Sequence, residues 1–477
     1  MSYSTERKQI EARSAVFKKE LGVRDLALTQ ILFVVGLPWV GAAATLGRSH
    51  VIVWLLAIVL FYIPSAMVVI YLNRDMPLEG GLYQWARLGF NDCIGFLVGW
   101  NLWLYVIALT SEIGLQAATS LAYAMGPRAQ WMAGSKWFIT AANCAVISAL
   151  ALVSVIGLSV GKWVHNAGGV VILAIFAALI ALPFLNANLG AWHPFQTAAP
   201  AVSLFSLNLL GKMGFGALGG FEYVGILAGE CRDPARAIGR SVVIAAPVIA
   251  IMFILGTSSV LFFVRPQVVD LIGPIQQVLS LGAGPLGIGS RIVPVAIVAV
   301  LGLRIAQASV NFTGNTRLPM VAGWDRLLPD WFTKLHPKYK TPVNSILFVG
   351  AITLALSVAG LIGVGHQEAF QLLWNTAGTF YALTYLVMFA IPVCAPARLG
   401  HRPPLWLRGA AISGFLMTLL NVALSVFPII EVKSRLSFTA KISGVILVGN
   451  GIGLVIFWIA ETRRRTRFLM ANTGERA

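Results

Sequence analysis

The sequence predicts an all-α integral membrane protein with twelve transmembrane helices, of which the first ten divide into two five-helix halves. The first observation is composition: 58% of the residues are hydrophobic and only 11% are charged, whereas soluble proteins average roughly 45–50% and about 25%. The second is that apolar runs long enough to cross about 30 Å of hydrocarbon recur along the whole chain. The third is that two of these runs, the first and the sixth, are interrupted. One such run is compatible with a buried core helix, but a dozen in succession indicate a polytopic membrane protein.

The apolar runs define the predicted boundaries. Residues 1–25 are polar and lack the apolar core of a cleaved signal, so the first span is expected to direct insertion. The halves are 26–186 and 203–393, the accessory helices occupy 409–460, and 461–477 form a basic tail. The predicted spans are 26–46, 51–72, 92–124, 137–158, 163–186, 203–229, 241–264, 292–313, 343–362, 368–393, 409–430 and 441–460.

The basic residues predict the orientation. Of the 35 Lys and Arg residues, 25 fall in loops on the side of the N-terminus, eight on the other side and two within spans. This asymmetry predicts that both termini lie in the cytoplasm. The expected location is a bacterial-type inner membrane. Because the positive charges are scattered over short loops, the net charge of +17 does not indicate nucleic-acid binding. The run at 463–467 is expected to contact anionic lipid headgroups.

The interrupted spans predict a binding site. Gly36, Pro38 and Gly41 break span 1, since proline removes a helical hydrogen bond. Four glycines between 214 and 220 weaken span 6, each by about 1 kcal/mol relative to alanine. Freed peptide groups are tolerated in a bilayer only inside protein or beside a cavity. Each half has an odd number of spans, so the second half is inverted, and matching breaks indicate a midplane substrate site. Packing through small residues is the alternative reading.

Three groups of motifs resemble the amino acid–polyamine–organocation superfamily of permeases. One follows span 2, one joins the break in span 6 to the loop after it, and one follows span 8. They lie at residues 77–85 with 95–100, 215–222 with 228–236, and 315–329 with 336–342.

The resemblance implies the inverted five-plus-five fold of the leucine transporter with two accessory helices. It also implies secondary transport of amino acids or related amines by alternating access, coupled to protons or run as exchange. The chain departs from the family pattern twice. Its span 1 has a sparser glycine run, and its span 5 lacks, at 167–174, the lysine of some proton-coupled relatives.

The two breaks supply the predicted contacts with a zwitterionic substrate. A half-helix beginning near Val40 presents free N–H groups to a carboxylate, and freed carbonyl groups at Gly36 and at 215–218 accept from an ammonium group. Phe215 is expected to form a wall or gate, while Trp39 and Trp103 are more readily explained as packing residues. The predicted substrate-binding residues are Gly36, Val40, Gly41, Ala42, Phe215, Gly216, Ala217 and Leu218.

Three charged residues within spans are candidates for coupling or buried pairing. Glu222 follows the break in span 6, where it is either a proton-coupling carboxylate, a cap for the second half-helix, or both. Glu112 and Arg304 each cost at least about 2.5–3.5 kcal/mol at the bilayer centre unless paired or hydrated. We expect that they meet or that both line the cavity. A Glu112 side chain that faces the cavity would favour a cationic substrate.

A cytoplasmic gate is predicted from charges that follow spans 6 and 8. These are Glu230, Arg236, Arg317 and Asp325. Exposed ion pairs contribute only about 0–1 kcal/mol, so ordinary solvated loop charge is the competing interpretation.

Other classes of protein are disfavoured. Enzyme motifs and metal-ligand spacings are absent, so neither catalysis nor a metal or other cofactor is expected. A channel would need a selectivity ring or pore loop, and a sensor built on a transporter fold would need a signalling domain. The expected partners are a small-molecule substrate, protons and membrane lipids. Neutral amino acids, cationic amino acids and polyamines all fit.

Overall fold

The structure is a computed structural model of a helical membrane protein. It describes residues 19, 21–78, 80–156, 161–186, 197–226, 228, 231–283, 289–316, 328–339, 341–395 and 402–473. Within those ranges the extended pairing consists of one isolated bridge between Leu21 and Cys231. The bridge ties the start of the described chain to the loop that follows span 6.

The helices reproduce most of the predicted spans. Ten described helices are long and apolar enough to cross a membrane, or up to eleven if the bent pair Val23–Val34 and Pro38–Ala44 is one span. This bent pair is span 1. Spans 2–5 are the stretches Gly47–Asp75, Asp92–Met125, Lys136–Ile156 and Asn166–Asn186. Spans 7–12 are Pro234–Phe263, Ile292–Thr316, Val343–Gly360, His366–Cys394, Leu405–Leu424 and Arg435–Arg464.

Span 6 is the predicted span that falls short of a continuous crossing helix. It consists of an α-helix at Leu204–Gly211, a π-helical segment at Lys212–Ala217 and a short α-helix at Tyr223–Ile226. The ten long helices, the bent span 1 and the interrupted span 6 correspond in position to the twelve predicted spans in the described chain. The glycine-rich stretch separates the helical pieces of span 6, as the sequence predicted.

Three other spans differ in detail from the prediction. Span 3 is two helices, Asp92–Thr110 and Ile113–Met125, with a turn at Ser111 and Glu112. Span 2 contains a π-helical segment at Ile58–Tyr62. The last helix runs as Arg435–Thr473, past the predicted end at 460, because no glycine or proline interrupts the residues that follow. Shorter helices lie at Leu82–Gly89, Trp131–Gly134 and Pro274–Ala283.

Spans 3 and 10 are the most buried of the long helices described. Span 10 packs along span 3, and span 1 packs between spans 5 and 7. A β-carbon at Gly169 of span 5 would lie 2.9 Å from Leu28 of span 1, so glycine permits the close approach of these two helices. The most apolar stretch of 18 residues in span 12 is only 11% buried. This helix therefore lies at the lipid-facing periphery.

Candidate functional site

The break in span 1 lies between Val34 and Pro38, where the two helical halves meet at 50°. Pro38 occupies the first position of the second half, where its missing N–H is not needed and its fixed φ favours the helix. The half-helix therefore begins earlier than the predicted start near Val40. The freed carbonyl groups are satisfied from span 8: Gln307 Nε2 donates to the carbonyl oxygens of Leu32 at 2.7 Å and Val35 at 3.0 Å.

A hydrogen bond from the break in span 6 to span 10 stabilises the break. Gly220 has a φ of 133°, in a region of backbone conformation that residues other than glycine rarely adopt. Its N–H donates to the hydroxyl oxygen of Tyr385 at 2.7 Å. The break predicted from the glycine run is thus present, and the Tyr385 hydroxyl oxygen accepts a hydrogen bond from one of the peptide N–H groups that the break leaves without a helical partner.

The two breaks open onto one cavity at the centre of the bundle. Its walls come from spans 1, 3, 6, 8 and 10, and its volume is about 80 Å³. Gly36, Gly216 and Gly219 line it. The Trp39 ring packs against two of these glycines, since a β-carbon would lie 2.7 Å from the ring at Gly36 and 2.5 Å from it at Gly216. The main chain at both breaks therefore adjoins the cavity and is partly covered by the Trp39 ring.

The structure brings some of the predicted binding residues to this cavity and directs others elsewhere. Gly36, Phe215 and Gly216 line it. Ala217 and Leu218 are completely buried and are not part of its wall, because neighbouring residues of the helical segment project to different sides.

The prediction that Val40, Gly41 and Ala42 contact the substrate is not supported by their positions. They are buried outside the cavity wall, and a β-carbon at Gly41 would lie 2.8 Å from Pro274. These residues lie on the face of the half-helix that packs against other helices: Gly41 faces Pro274 of the helix Pro274–Ala283, and Val40 faces Gly256 of span 7.

Aromatic side chains form much of the remaining wall. Phe215 contacts Tyr381 with ring centroids 5.5 Å apart. The Trp39 ring packs edge-on against Trp374 at 5.4 Å, and a β-carbon at Gly216 would lie 2.5 Å from the Trp39 ring. Trp39, which the sequence analysis treated as a packing residue, therefore spans the cavity between spans 6 and 10. Its position directly after Pro38 was the available signal.

Trp103 lies away from the cavity. Its ring stacks on Phe348 at 5.8 Å, and its carbonyl oxygen accepts from Asn315 Nδ2 at 2.9 Å. These contacts are consistent with the packing role expected for it.

Glu112 and Arg304 meet in the wall of the cavity. Arg304 Nη2 lies 3.3 Å from Glu112 Oε1, Arg304 Nη1 donates to Gln307 Oε1 at 2.6 Å, and Arg304 Nε donates to Gln116 Oε1. Gln116 Nε2 also donates to Glu112 Oε1 at 2.7 Å. Both charged residues line the cavity, and within the described residues Glu112 Oε2 is buried without a hydrogen-bond partner. Each guanidinium nitrogen thus donates one hydrogen bond, while one carboxylate oxygen accepts none.

Glu222 is linked to the cavity through span 10. Its two oxygens accept hydrogen bonds from the hydroxyl groups of Tyr381 and Tyr385. Tyr381 lines the cavity, and its ring stacks on Tyr105 of span 3 at 4.3 Å. The sequence analysis did not anticipate these tyrosines, since they lie about 160 residues from Glu222 along the chain.

The predicted cytoplasmic gate is described only in part. Arg236 lies 3.9 Å from Asp233, with both side chains largely exposed, which is the geometry of a weak surface pair. The predicted gate residues Glu230, Arg317 and Asp325 lie outside the described residues.

Comparison with known proteins identifies what this architecture resembles. The family model described as "Amino acid permease" matches residues 22–455. An uncharacterised transporter of Legionella pneumophila is 25% identical over 405 residues, covering 83% of this chain and 84% of its own. The branched-chain amino acid permease BcaP of Bacillus subtilis is 25% identical over 385 residues, covering 75% and 79%.

A solved structure shares the fold. The crystal structure of MhsT in complex with L-phenylalanine aligns with a TM-score of 0.57 and 14% sequence identity, covering 85% of this chain and 98% of that one. The permease resemblance and the leucine-transporter-type fold inferred from the sequence are confirmed by these comparisons. They also indicate a permease and not an enzyme.

Proposed function

The chain belongs to the amino acid permease family, and from that premise we propose that it moves an amino acid or a related amine across the membrane as a secondary transporter. The cavity between the broken spans 1 and 6 supports this proposal most directly. It is the feature that a carrier needs and that an ordinary packed helical bundle lacks.

Recognition would use the main chain for the charged groups of the substrate. Gly36, Gly216 and Gly219 bring the main chain of both breaks to the cavity wall. Once the Trp39 ring moves off Gly36 and Gly216, peptide groups there would pair with an ammonium or carboxylate group without a buried counter-charge. The aromatic rings of Trp39 and Phe215 would then contact the apolar part of the substrate.

A cationic amino acid or polyamine is a second candidate substrate, and Glu112 favours it. Arg304 neutralises the charge of Glu112, but Oε2 has no partner among the described residues. A buried acceptor that lacks a donor is costly. A substrate amine reaching this oxygen would remove that cost.

Alternating access would proceed by movement of spans 1 and 6 against spans 3, 8 and 10. The bonds from Gln307 to the Leu32 carbonyl group and from Gly220 to Tyr385 join these two groups of helices at the breaks. We propose that Glu222 couples the span 6 break to substrate occupancy through Tyr381. Proton symport and exchange are both compatible with this arrangement.

The proposed setting is a bacterial-type inner membrane with both termini in the cytoplasm. The excess of Lys and Arg in the loops on the side of the N-terminus supports this orientation. Arg236, with Glu230, Arg317 and Asp325, is proposed to close the cytoplasmic entrance, and the basic residues at 463–467 to contact anionic lipid.

The function is tested by a thermal-shift screen of the purified protein against amino acids and amines, followed by counterflow in proteoliposomes. A ligand at one hundred times its Kd stabilises the folded state by about 2.7 kcal/mol. At least one amino acid or amine is expected to raise the melting temperature and to drive counterflow. Absence of counterflow with every compound in the panel would contradict the proposal.

A matched pair of variants tests the site. Gly378 lines the cavity, and a β-carbon there meets no atom within 4 Å, so Gly378→Leu is expected to fill the cavity and abolish counterflow. Gly302→Leu, also on a membrane helix with open space around it but on an exposed face, is expected to transport normally. Equal activity of the two variants would place the substrate elsewhere.

A further inference from the structure

Span 6 contains a buried amine that the proposed function has not used. Lys212 is only 4% exposed and begins the π-helical segment Lys212–Ala217. The same segment carries Phe215 and Gly216 of the cavity wall. Single π-helical turns inside helices are rare and occur frequently at functional sites. Lys212 therefore lies one turn from the substrate cavity, on a part of span 6 with irregular helix geometry.

The amine has a single, well-oriented hydrogen-bond acceptor. Lys212 Nζ donates to Asn375 Oδ1 of span 10 at 3.1 Å. Asn375 Nδ2 in turn donates to the carbonyl oxygen of Ser425 at 2.9 Å, which fixes the amide so that its oxygen faces the lysine. Spans 6 and 10 and the end of span 11 are joined by this chain of bonds.

No counter-ion accompanies the amine in the described part of the chain. Lys212 forms no ion pair with the described residues, and its side-chain hydrogen bond goes to the amide oxygen of Asn375. Spans 2, 10 and 11 pack against the π-helical segment. None of the titratable residues described in these helices is a hydrogen-bond or ion-pair partner of Lys212 Nζ, which donates to Asn375. They are Arg48, His50, Tyr62, Tyr71, Arg74 and Asp75 in span 2, His366, Glu368, Tyr381, Tyr385 and Cys394 in span 10, and Arg408 in span 11.

This environment satisfies a neutral amine better than an ammonium ion. An ammonium has three donors and no acceptor, and a buried charge without partners is strongly disfavoured in a membrane. Here one acceptor is present. Glu222, on the other side of the break, is in the opposite situation, because each carboxylate oxygen accepts from a tyrosine hydroxyl group. Both carboxylate oxygens of Glu222 therefore have a donor, whereas two of the three donors of a Lys212 ammonium have no acceptor among the described residues.

We propose that Lys212 is a proton-binding site that couples transport to the proton gradient. The lone pair of the amine takes up one proton from water when span 6 moves and hydrates it. The ammonium returns that proton to water on the other side of the membrane, before the segment packs against Asn375 as it does here. No other bond changes, and one proton crosses in each cycle. The proposal rests on the transport function proposed above.

The test uses proteoliposomes with the membrane potential clamped to zero and a substrate found in the thermal-shift screen. With an imposed pH gradient of one unit, the wild-type protein is expected to accumulate substrate about tenfold, the limit for one coupled proton. Lys212→Met is expected to bring the substrate to equal concentrations on both sides, while counterflow continues at a reduced rate. Lys441→Met, which removes an exposed lysine of span 12, is expected to accumulate substrate as the wild type does.

A second variant keeps the proposal testable if Lys212→Met does not fold. Asn375→Asp preserves the size of the side chain and places a carboxylate on the amine, which holds it as an ammonium. Accumulation is again expected to be lost. Glu222→Gln serves as the comparison. The counterflow rate of the wild type is expected to show an inflection with pH where Lys212 gains or loses its proton. Lys212→Met is expected to remove this inflection, and Glu222→Gln to keep it.

The outcomes separate the two proposals. Gradient-driven accumulation by Lys212→Met or by Asn375→Asp at the wild-type ratio would overturn the role of Lys212. So would wild-type counterflow without any accumulation under the gradient, because the protein would then be an exchanger. Absence of wild-type counterflow with every amino acid and amine would instead refute the transport function, and the role of Lys212 with it.

Discussion

Replacing Arg304 by methionine removes the guanidinium but keeps much of the side-chain volume. Glu112, which is 1% exposed, then retains only the hydrogen bond from Gln116 at 2.7 Å. Gln307 Oε1 loses the donor that lies 2.6 Å away. Breaking a buried pair by removing one partner costs about 3–5 kcal/mol, because the remaining charge is buried without compensation.

The expected loss is measurable as a shift of the thermal unfolding midpoint in a fixed detergent. A domain of 150–250 residues shifts by about 2–4 °C for each kcal/mol. A chain of 477 residues has a larger unfolding entropy, which roughly halves that sensitivity. Arg304→Met is therefore expected to melt roughly 5 °C below the wild type. Arg128→Met, at an exposed position, is the matched control and is expected to melt with the wild type.

A double-mutant cycle distinguishes the pair from two independent residues. Glu112→Gln removes the uncompensated charge, so the double variant Glu112→Gln with Arg304→Met is expected to be more stable than the two single losses predict, by about 2 kcal/mol. The reversed pair, Glu112→Arg with Arg304→Glu, is expected to be more stable than either single reversal. Additive effects throughout, or a midpoint for Arg304→Met that matches the control, would refute the reasoning.

Three further predictions concern the break in span 6. Glu222→Gln replaces a charged acceptor by an amide, which loses about 1.5–3 kcal/mol of hydrogen bonding to the tyrosines, and both the melting temperature and the counterflow rate should fall. Tyr381→Phe removes one donor to Glu222 and should lower counterflow less than Glu222→Gln does; an equal or larger effect would argue against the link to the cavity. Gly216→Ala forces the Trp39 ring to move and should weaken substrate binding in a titrated thermal shift, whereas Gly302→Ala should bind normally.

The interrupted helices were predictable because their causes are local. Pro38 and the glycines near 216 act through backbone geometry within their own turns, so sequence position is enough to place each break. The Glu112–Arg304 contact was anticipated for a different reason: two buried charges in a membrane have few alternatives to one another.

The remaining features depend on how distant spans face each other. Nothing in the sequence near Glu222 indicates Tyr381 and Tyr385, which reach it from span 10. The acceptor for Lys212, Asn375, is likewise 163 residues away. The positions of Val40 and Gly41 also depend on distant elements, because they pack against span 7 and Pro274 and not beside the cavity.

The central claim is that substrate occupies the cavity between the two broken spans, and a cysteine at Gly378 tests it most directly. The variant Gly378→Cys would be made in a background in which the native cysteines Cys93, Cys144, Cys231 and Cys394 are replaced and counterflow is retained. Its modification by a small water-soluble thiol reagent is measured with and without substrate. Gly134→Cys, at an exposed position between spans 3 and 4, is the control. Substrate is expected to slow modification at 378 and leave that at 134 unchanged. Equal modification rates at 378 with and without saturating substrate would contradict the account.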